Sequence, residues 1–130
     1  MRENEIRVAV PIWEKRVSPV FDSAGRIVIA DIEGGKVNSR FIVPCSESFP
    51  PRRVVFLRRW GVGILICGGI SIYLARLLMV QGIRVMAGIR GNADEVLKAF
   101  CRGKIASSRF ALPGWRGWRG KSFARRRYNF

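Results

Sequence analysis

The sequence predicts one α/β domain built on a mixed β-sheet. Strand-like segments come first in the chain, at residues 5–12, 26–32 and 36–43. Helical and strand-like segments then alternate as far as residue 102. Strands joined by short turns pair antiparallel, whereas strands joined through helices pair parallel, so a mixed sheet is expected. The chain has 130 residues, enough for one core, and we assign a domain to residues 3–110 and a tail to residues 111–130.

The first half of the domain is predicted to consist of strands and turns. The first strand, EIRVAVPI, is rich in β-branched residues, and the breaker-containing residues 13–25 that follow it are predicted to form a loop. Gly34-Gly35 supply the positive φ that a tight hairpin needs between the second and third strands. Alternation in the third strand predicts that one side of the sheet receives four side chains, Val37, Ser39, Phe41 and Val43.

The second half is predicted to alternate between helices and strands. Pro50-Pro51 precede a first helix over residues 52–60, because proline is tolerated in a first turn. Residues 64–67 are all apolar, as is typical of a buried central strand. The next three predicted elements are a helix, a strand and a helix, at residues 70–81, 83–89 and 93–102. Asn92 is expected to cap the last helix.

A membrane helix is the alternative interpretation of residues 62–80. This segment is long enough to cross a bilayer and carries one charge, Arg76. Two adjacent glycines interrupt it, however, and a charge inside the bilayer is costly. The chain also begins without a basic segment leading into an apolar one. We therefore predict no membrane span and no signal peptide.

Cysteine and histidine usage points to a reducing compartment and argues against zinc. The chain has three cysteines, Cys45, Cys67 and Cys101, widely spaced and odd in number. This spacing does not suggest a disulfide framework and fits the cytoplasm. There is no histidine and no Cys-x-x-Cys pair, so the usual Cys/His zinc site is not expected.

The sequence CGGIS, residues 67–71, is the main candidate for a binding site. It follows the apolar strand at residues 64–67, and ligands of open α/β sheets sit beyond the carboxyl ends of the strands. Glycines let a ligand approach the backbone, and the N–H groups at a helix start favour an anion. The alternative is a tight turn before a buried helix. The candidate binding residues here are Cys67, Gly68, Gly69 and Ser71.

Three side chains expected near this edge of the sheet have two interpretations each. Cys67 is either a small buried apolar residue or a thiolate at a helix N-terminus that binds a soft metal. Cys45 either reaches the same edge as a second metal ligand or is an exposed loop thiol. Asp22 either ligates a cation or positions its loop by accepting backbone N–H bonds.

The C-terminal tail carries much of the positive charge. The chain has 24 Lys and Arg against 9 Asp and Glu, a formal net charge of +15, and no acid follows Trp115. Arginine interleaved with aromatic residues suits phosphates and stacked bases, and a disordered basic tail would attract any polyanion. Nucleic acid or an acidic protein is therefore a candidate partner. The candidate polyanion-binding residues are Arg116, Arg119, Lys121, Arg125, Arg126 and Arg127.

Four stretches together resemble a known family. They are SPVFDSA at 18–24, CGGIS at 67–71, QGIRV at 81–85 and GNADEV at 91–96. In this order and spacing they are similar to the dinitrogenase iron–molybdenum cofactor biosynthesis family, the NifX-like proteins that also occur as the C-terminal domain of NifB-type proteins. The similarity extends over roughly residues 5 to 110.

The resemblance implies a fold and a role. The fold would be a ribonuclease H-like three-layer α/β fold with a five-stranded mixed sheet. The role would be non-catalytic: binding or carrying an iron–sulfur or iron–molybdenum cofactor or its precursor, with cluster-assembly proteins as partners. Asp22 and the CGGIS stretch carry over as shared motifs. Because there is no histidine, ligation would fall on cysteines or carboxylates.

A ribonuclease-like fold also raises a nuclease hypothesis. Such active sites bring several carboxylates around two metal ions. The first predicted strand, IRVAVPI at residues 6–12, has no acid to offer. We therefore expect no catalytic residues and no enzyme activity.

Overall fold

The structure is a computed structural model that describes residues 5–105. Strands and helices within this range alternate in the second half of the chain, as predicted. The strands are β1 (Glu5–Trp13), β2 (Arg16–Val17), β3 (Arg26–Glu33), β4 (Lys36–Pro44), β5 (Ile64–Ile66) and β6 (Arg84–Met86). The helices are α1 (Pro50–Arg59), α2 (Ile72–Val80) and α3 (Ala93–Cys101), with a short 3₁₀ turn over Phe21–Ser23.

The strands form one mixed sheet in the order β4-β3-β1-β5-β6. β4, β3 and β1 pair antiparallel, whereas β1, β5 and β6 pair parallel. The mixed α/β class is therefore confirmed. The count of five strands is wrong, because Arg16-Val17 turns back and pairs with the end of β1 as a sixth strand. Sequence patterns miss so short a strand, since two residues show no periodicity. The ribonuclease H-like name stays a prediction.

Helices cover both faces of the sheet and produce three layers. α3 packs on the face that carries Val8 and Val10 of β1. α1 and α2 pack on the opposite face, which carries Ala9 of the same strand and Leu65 of β5. Burying apolar side chains on both faces explains why the central strands are nearly continuous apolar runs.

A β-bulge in β4 overturns the predicted alternation of that strand. Asp31 pairs with Ser39 and the next residue of β3 pairs with Val37, so Asn38 is extra. An extra residue moves the side chains beyond it to the other face. Val37 accordingly packs with the α3 side, whereas Phe41 and Val43 pack with the α1 and α2 side.

The topology gathers the candidate residues at one edge. β1, β4, β5 and β6 all run in the same direction, so their carboxyl ends meet there. Cys45 follows β4, Cys67 follows β5, and the segment with Asp22 lies between β2 and β3. No helix in the described range is long and apolar enough to cross a bilayer. The proposed boundary at residue 110 and the tail lie outside that range.

Candidate functional site

The glycines of the CGGIS turn make room for another part of the chain. The N–H of Gly69 donates to the Pro19 carbonyl at 2.6 Å, and the carbonyl of Gly69 accepts the Phe21 N–H at 2.8 Å. A Cβ atom added to Gly68 would lie 2.6 Å from the Ser18 carbonyl oxygen. Neither Gly68 nor Gly69 has a positive φ. Both glycines are therefore explained by close packing against the Ser18–Phe21 backbone.

Asp22 connects this loop to the start of α2. Its Oδ1 accepts a hydrogen bond from the Ser71 N–H at 2.9 Å. Ser71 in turn caps α2, because its Oγ accepts from the Leu74 N–H at 3.2 Å. A carboxylate is favoured here by the positive end of the helix dipole. The loop-positioning interpretation of Asp22 is thus confirmed, and a direct role in ligand binding stays a prediction.

Cys67 lies beneath this turn and is fully buried. Burial raises the pKa of its thiol, and the nearby negative charge of Asp22 raises it further. Its backbone links the end of β5 to β6 and to the segment after it, with the N–H donating to the carbonyl of Met86 and the carbonyl accepting from the N–H of Ile89. In this conformation Cys67 is a neutral, small apolar residue.

Cys45 is also buried, so the interpretation as an exposed loop thiol is wrong. Its N–H donates to the Gly25 carbonyl at 2.9 Å, which holds the residue after β4 against the start of β3. Cys45 and Cys67 belong to the same apolar core, on the α1 and α2 side. Cys101 lies at the end of α3 and packs on the opposite core. Within residues 5–105, no three or more Cys, Asp or Glu side chains are grouped so as to hold a metal ion.

Arg53 is a residue of this edge that sequence reasoning missed. It lies in the first turns of α1 and is only 3% exposed. Its Nη2 donates to the Ala24 carbonyl at 2.7 Å, and its guanidinium carbon lies 5.2 Å from the centre of the Phe21 ring. Arg53 lies four residues before the buried Leu57 and therefore shares the inward side of α1. This spacing could have indicated that Arg53 is buried, but a charged residue is ordinarily expected at an exposed position.

The candidate polyanion-binding residues of the tail, from Arg116 to Arg127, lie outside the described residues. Their assignment therefore stays a prediction from sequence.

The structure combines a mixed sheet covered on both faces with a glycine turn and the Asp22 loop at the carboxyl edge of the sheet. The sequence resemblance implied this arrangement. A family model described as dinitrogenase iron–molybdenum cofactor matches residues 4–103. The chain belongs to this family. Among curated proteins, no match to the sequence was found.

Solved structures share the fold. PH0822 is 29% identical, with a TM-score of 0.73, and the match covers 77% of this chain and 92% of that chain. TM1290 from Thermotoga, provisionally described as a NifB protein, is 25% identical with a TM-score of 0.63, covering 76% and 90%. The apo orange protein from Desulfovibrio gigas is 20% identical with a TM-score of 0.63, covering 76% and 89%, and shows likeness of fold alone.

Proposed function

We propose that this protein is a non-catalytic accessory protein that binds or carries an iron–sulfur or iron–molybdenum cofactor, or its precursor, as cargo. Membership of the dinitrogenase iron–molybdenum cofactor family over residues 4–103 supports an accessory role in cofactor assembly. The structural observation that carries the proposal is the Asp22 carboxylate on the Ser71 N–H. This carboxylate is an anion of the protein itself, bound at a helix N-terminus. An anionic cargo would find the same N–H donors there.

The loop from Ser18 to Ala24 acts as a lid in this proposal. In the closed form Pro19 and Asp22 occupy the N–H groups of Gly69 and Ser71. Opening the loop frees both donors at the start of α2 and exposes the thiol of Cys67. Metal–sulfur species with sulfide or thiolate ligands carry negative charge, so these donors and the positive helix end would stabilise them.

Cysteine ligation belongs to the open form. The thiol of Cys67 is neutral while buried, and a metal ligand must be a thiolate. Exposure at the helix N-terminus would remove the desolvation that raises its pKa. Cys45 is the second candidate ligand because it follows β4 at the same edge. Cluster-assembly proteins would supply and receive the cargo, and cysteine usage favours a cytoplasmic location.

The experiment is anaerobic reconstitution with iron and sulfide, read by visible absorption and by retained iron. We compare wild type with Cys67→Ala, and use Cys101→Ala as the matched control because Cys101 packs on the other core. Colour with stoichiometric iron in wild type and in the control, lost in Cys67→Ala, supports the proposal. Colour that survives in Cys67→Ala moves the site to Cys45, and no retained iron in wild type contradicts the carrier function.

A second candidate function is the binding of nucleic acid or an acidic protein through the tail. The formal net charge of +15 and the repeated Gly-Trp-Arg of the tail support it. It is separable from the first candidate, because it requires the tail and no cysteine.

A further inference from the structure

Arg53 has a guanidinium that is buried without a full set of partners. The residue is 3% exposed, and neither Nε nor Nη1 has a hydrogen-bond partner in the described part of the chain. Its Nη2 donates to the Ala24 carbonyl. Within residues 5–105, no carboxylate forms an ion pair with it.

Such an arrangement is costly for the folded chain. An arginine stays protonated in proteins, so it cannot escape burial by losing its charge. Buried charges are normally paired and fully hydrogen-bonded. The Phe21 ring, 5.2 Å from the guanidinium carbon, offsets part of this cost through a cation–π contact. Nε carries one N–H bond and Nη1 carries two, so three N–H bonds of Arg53 remain without an acceptor. An anion is the partner that satisfies both the charge and these hydrogen bonds.

The position of Arg53 connects it to the lid. Its two contacts, Phe21 and Ala24, flank Asp22 in the sequence. The same short turn is therefore held both by Arg53 of α1 and by the Ser71 N–H at the start of α2. A shift of this turn would therefore free Nη2 of Arg53 and the N–H of Ser71 together.

We propose that Arg53 is the recognition residue of an anion site beneath the Phe21–Ala24 turn. The ligand class is a compact, multiply charged anion that presents oxygen or sulfur acceptors, either a free tetrahedral oxoanion or the anionic surface of a metal–sulfur cargo. The inference deepens the proposed function and rests on it for the identity of the cargo. The turn must shift for entry, because both unpartnered nitrogens are shielded from solvent.

The test is calorimetric titration of the full chain with molybdate, sulfate and phosphate, at constant ionic strength set with sodium chloride. The variants are Arg53→Met, Arg53→Lys and the matched control Arg52→Met, which removes the same charge from an exposed neighbour. We expect one site in wild type and in the control. Arg53→Met should weaken binding by roughly tenfold or more, since hydrogen bonds to charged groups are the strong ones. Arg53→Lys should be intermediate.

The outcomes separate this site from the cluster proposal. Preference for molybdate over sulfate and phosphate indicates a metal-oxoanion precursor, whereas equal affinity indicates a general oxoanion site. Wild type without a stoichiometric anion site, or equal weakening in Arg52→Met and Arg53→Met, overturns the inference even if iron is retained through Cys67. Anion binding that requires Arg53 without iron retention keeps the site and rejects the cluster carrier. If Arg53→Met does not fold, two other measurements test the site. They are weaker anion binding by Arg53→Lys and changes in the NMR shifts of the Phe21–Ala24 amides when the anion is added to wild type. The absence of both overturns the inference.

Discussion

The carboxylate of Asp22 accepts a hydrogen bond of 2.9 Å from the backbone N–H of Ser71, 49 residues further along the chain. This contact joins the loop after β2 to the N-terminus of α2. It closes the edge of the sheet where Cys67, the glycine turn and Arg53 lie. Its removal should therefore lower the stability of that edge and make Cys67 more accessible.

Asp22→Ala should lower the free energy of unfolding by about 1 kcal/mol. The substitution leaves the Ser71 N–H and the positive end of α2 without a negative partner, and the loss is small because this hydrogen bond is exposed to solvent. Urea denaturation followed by circular dichroism measures the change. Ser23→Ala, at the exposed neighbouring position, serves as the control and should remain within about 0.5 kcal/mol of wild type. Equal effects of the two substitutions would contradict a specific role for the contact.

Cys67 should react slowly with iodoacetamide, and Asp22→Ala should make it react faster. The wild-type thiol is buried and its raised pKa keeps it protonated at neutral and mildly alkaline pH. Loosening the loop exposes the thiol and removes one charge that raises its pKa. Mass spectrometry of alkylated peptides gives the rates for each cysteine. Cys101, partly exposed at the end of α3, is the internal reference and should react first in both proteins. An unchanged Cys67 rate in Asp22→Ala would argue against a lid.

Gly68→Ala should destabilise the fold by about 1 to 3 kcal/mol, because the new methyl group overlaps backbone that has little room to move. The added Cβ would lie 2.6 Å from the Ser18 carbonyl oxygen and 2.9 Å from that of Pro19. Thermal and urea unfolding measure the loss. Gly25→Ala is the matched control, since its Cβ would meet nothing within 4 Å. A Gly68→Ala protein as stable as Gly25→Ala would show that the close approach is not required.

The Arg7–Asp31 pair should make stability depend on acid pH. Hydrogen bonds from Arg7, and a further one from Ser39, hold the pKa of Asp31 below its ordinary value in the folded protein. The unfolded chain therefore binds the proton first, and stability is lost as pH falls from the ordinary Asp range through the lower folded pKa. Asp31→Asn should weaken this dependence on acid pH and cost about 1 to 3 kcal/mol at neutral pH, because the partly buried donors of Arg7 and Ser39 lose the negative charge and one of the two acceptor oxygens.

Urea unfolding between neutral pH and pH 2 tests this prediction. Asp94→Asn is the control, because the ion pair of Asp94 with Arg40 is largely exposed. If Asp31→Asn loses as much stability as wild type when the pH falls, the acid sensitivity belongs to other carboxylates.

Deletion of residues 115–130 should abolish salt-sensitive binding of single-stranded nucleic acid and leave iron retention intact. The segment holds six of the basic residues and no acid. Binding through phosphates weakens steeply as salt rises, because counterions are released. Fluorescence anisotropy with a labelled oligonucleotide at several salt concentrations measures it. Binding that survives the deletion with the same salt dependence would place the interaction on the folded domain.

Patterns local in sequence predicted most elements of the fold. The Gly-Gly hairpin joins β3 and β4 with positive φ at both glycines, and Asn92 caps α3 through the Glu95 N–H. The parallel unit follows the antiparallel one, as the order of elements indicated. These predictions hold because a cap, a turn and a hydrophobic period each depend on residues a few positions apart.

Features that depend on distant residues were not predictable in the same way. The β-bulge beside Asp31 reverses the facing of Val37, since pairing register is decided by the whole sheet. The glycines at 68 and 69 allow two interpretations from sequence, room for a ligand or a tight turn before a buried helix, and the structure places the Ser18–Pro19 backbone against Gly68. An adjacent pair of glycines has the same appearance in either case.

By itself, the sequence determined the α/β class, the family and the residues of the glycine turn. The reason is that helix and strand periods, and each of the shared motifs, involve residues that are close together in the chain. Only the tertiary structure decided that Cys45 and Cys67 are buried, that Asp22 reaches Ser71, and that Arg53 points inward with donors unpaired. Burial and charge pairing arise from residues that meet across the sheet edge. The free energy of burying a side chain or leaving a charge unpaired depends on contacts between residues that are distant in sequence, and no short stretch of the chain encodes those contacts.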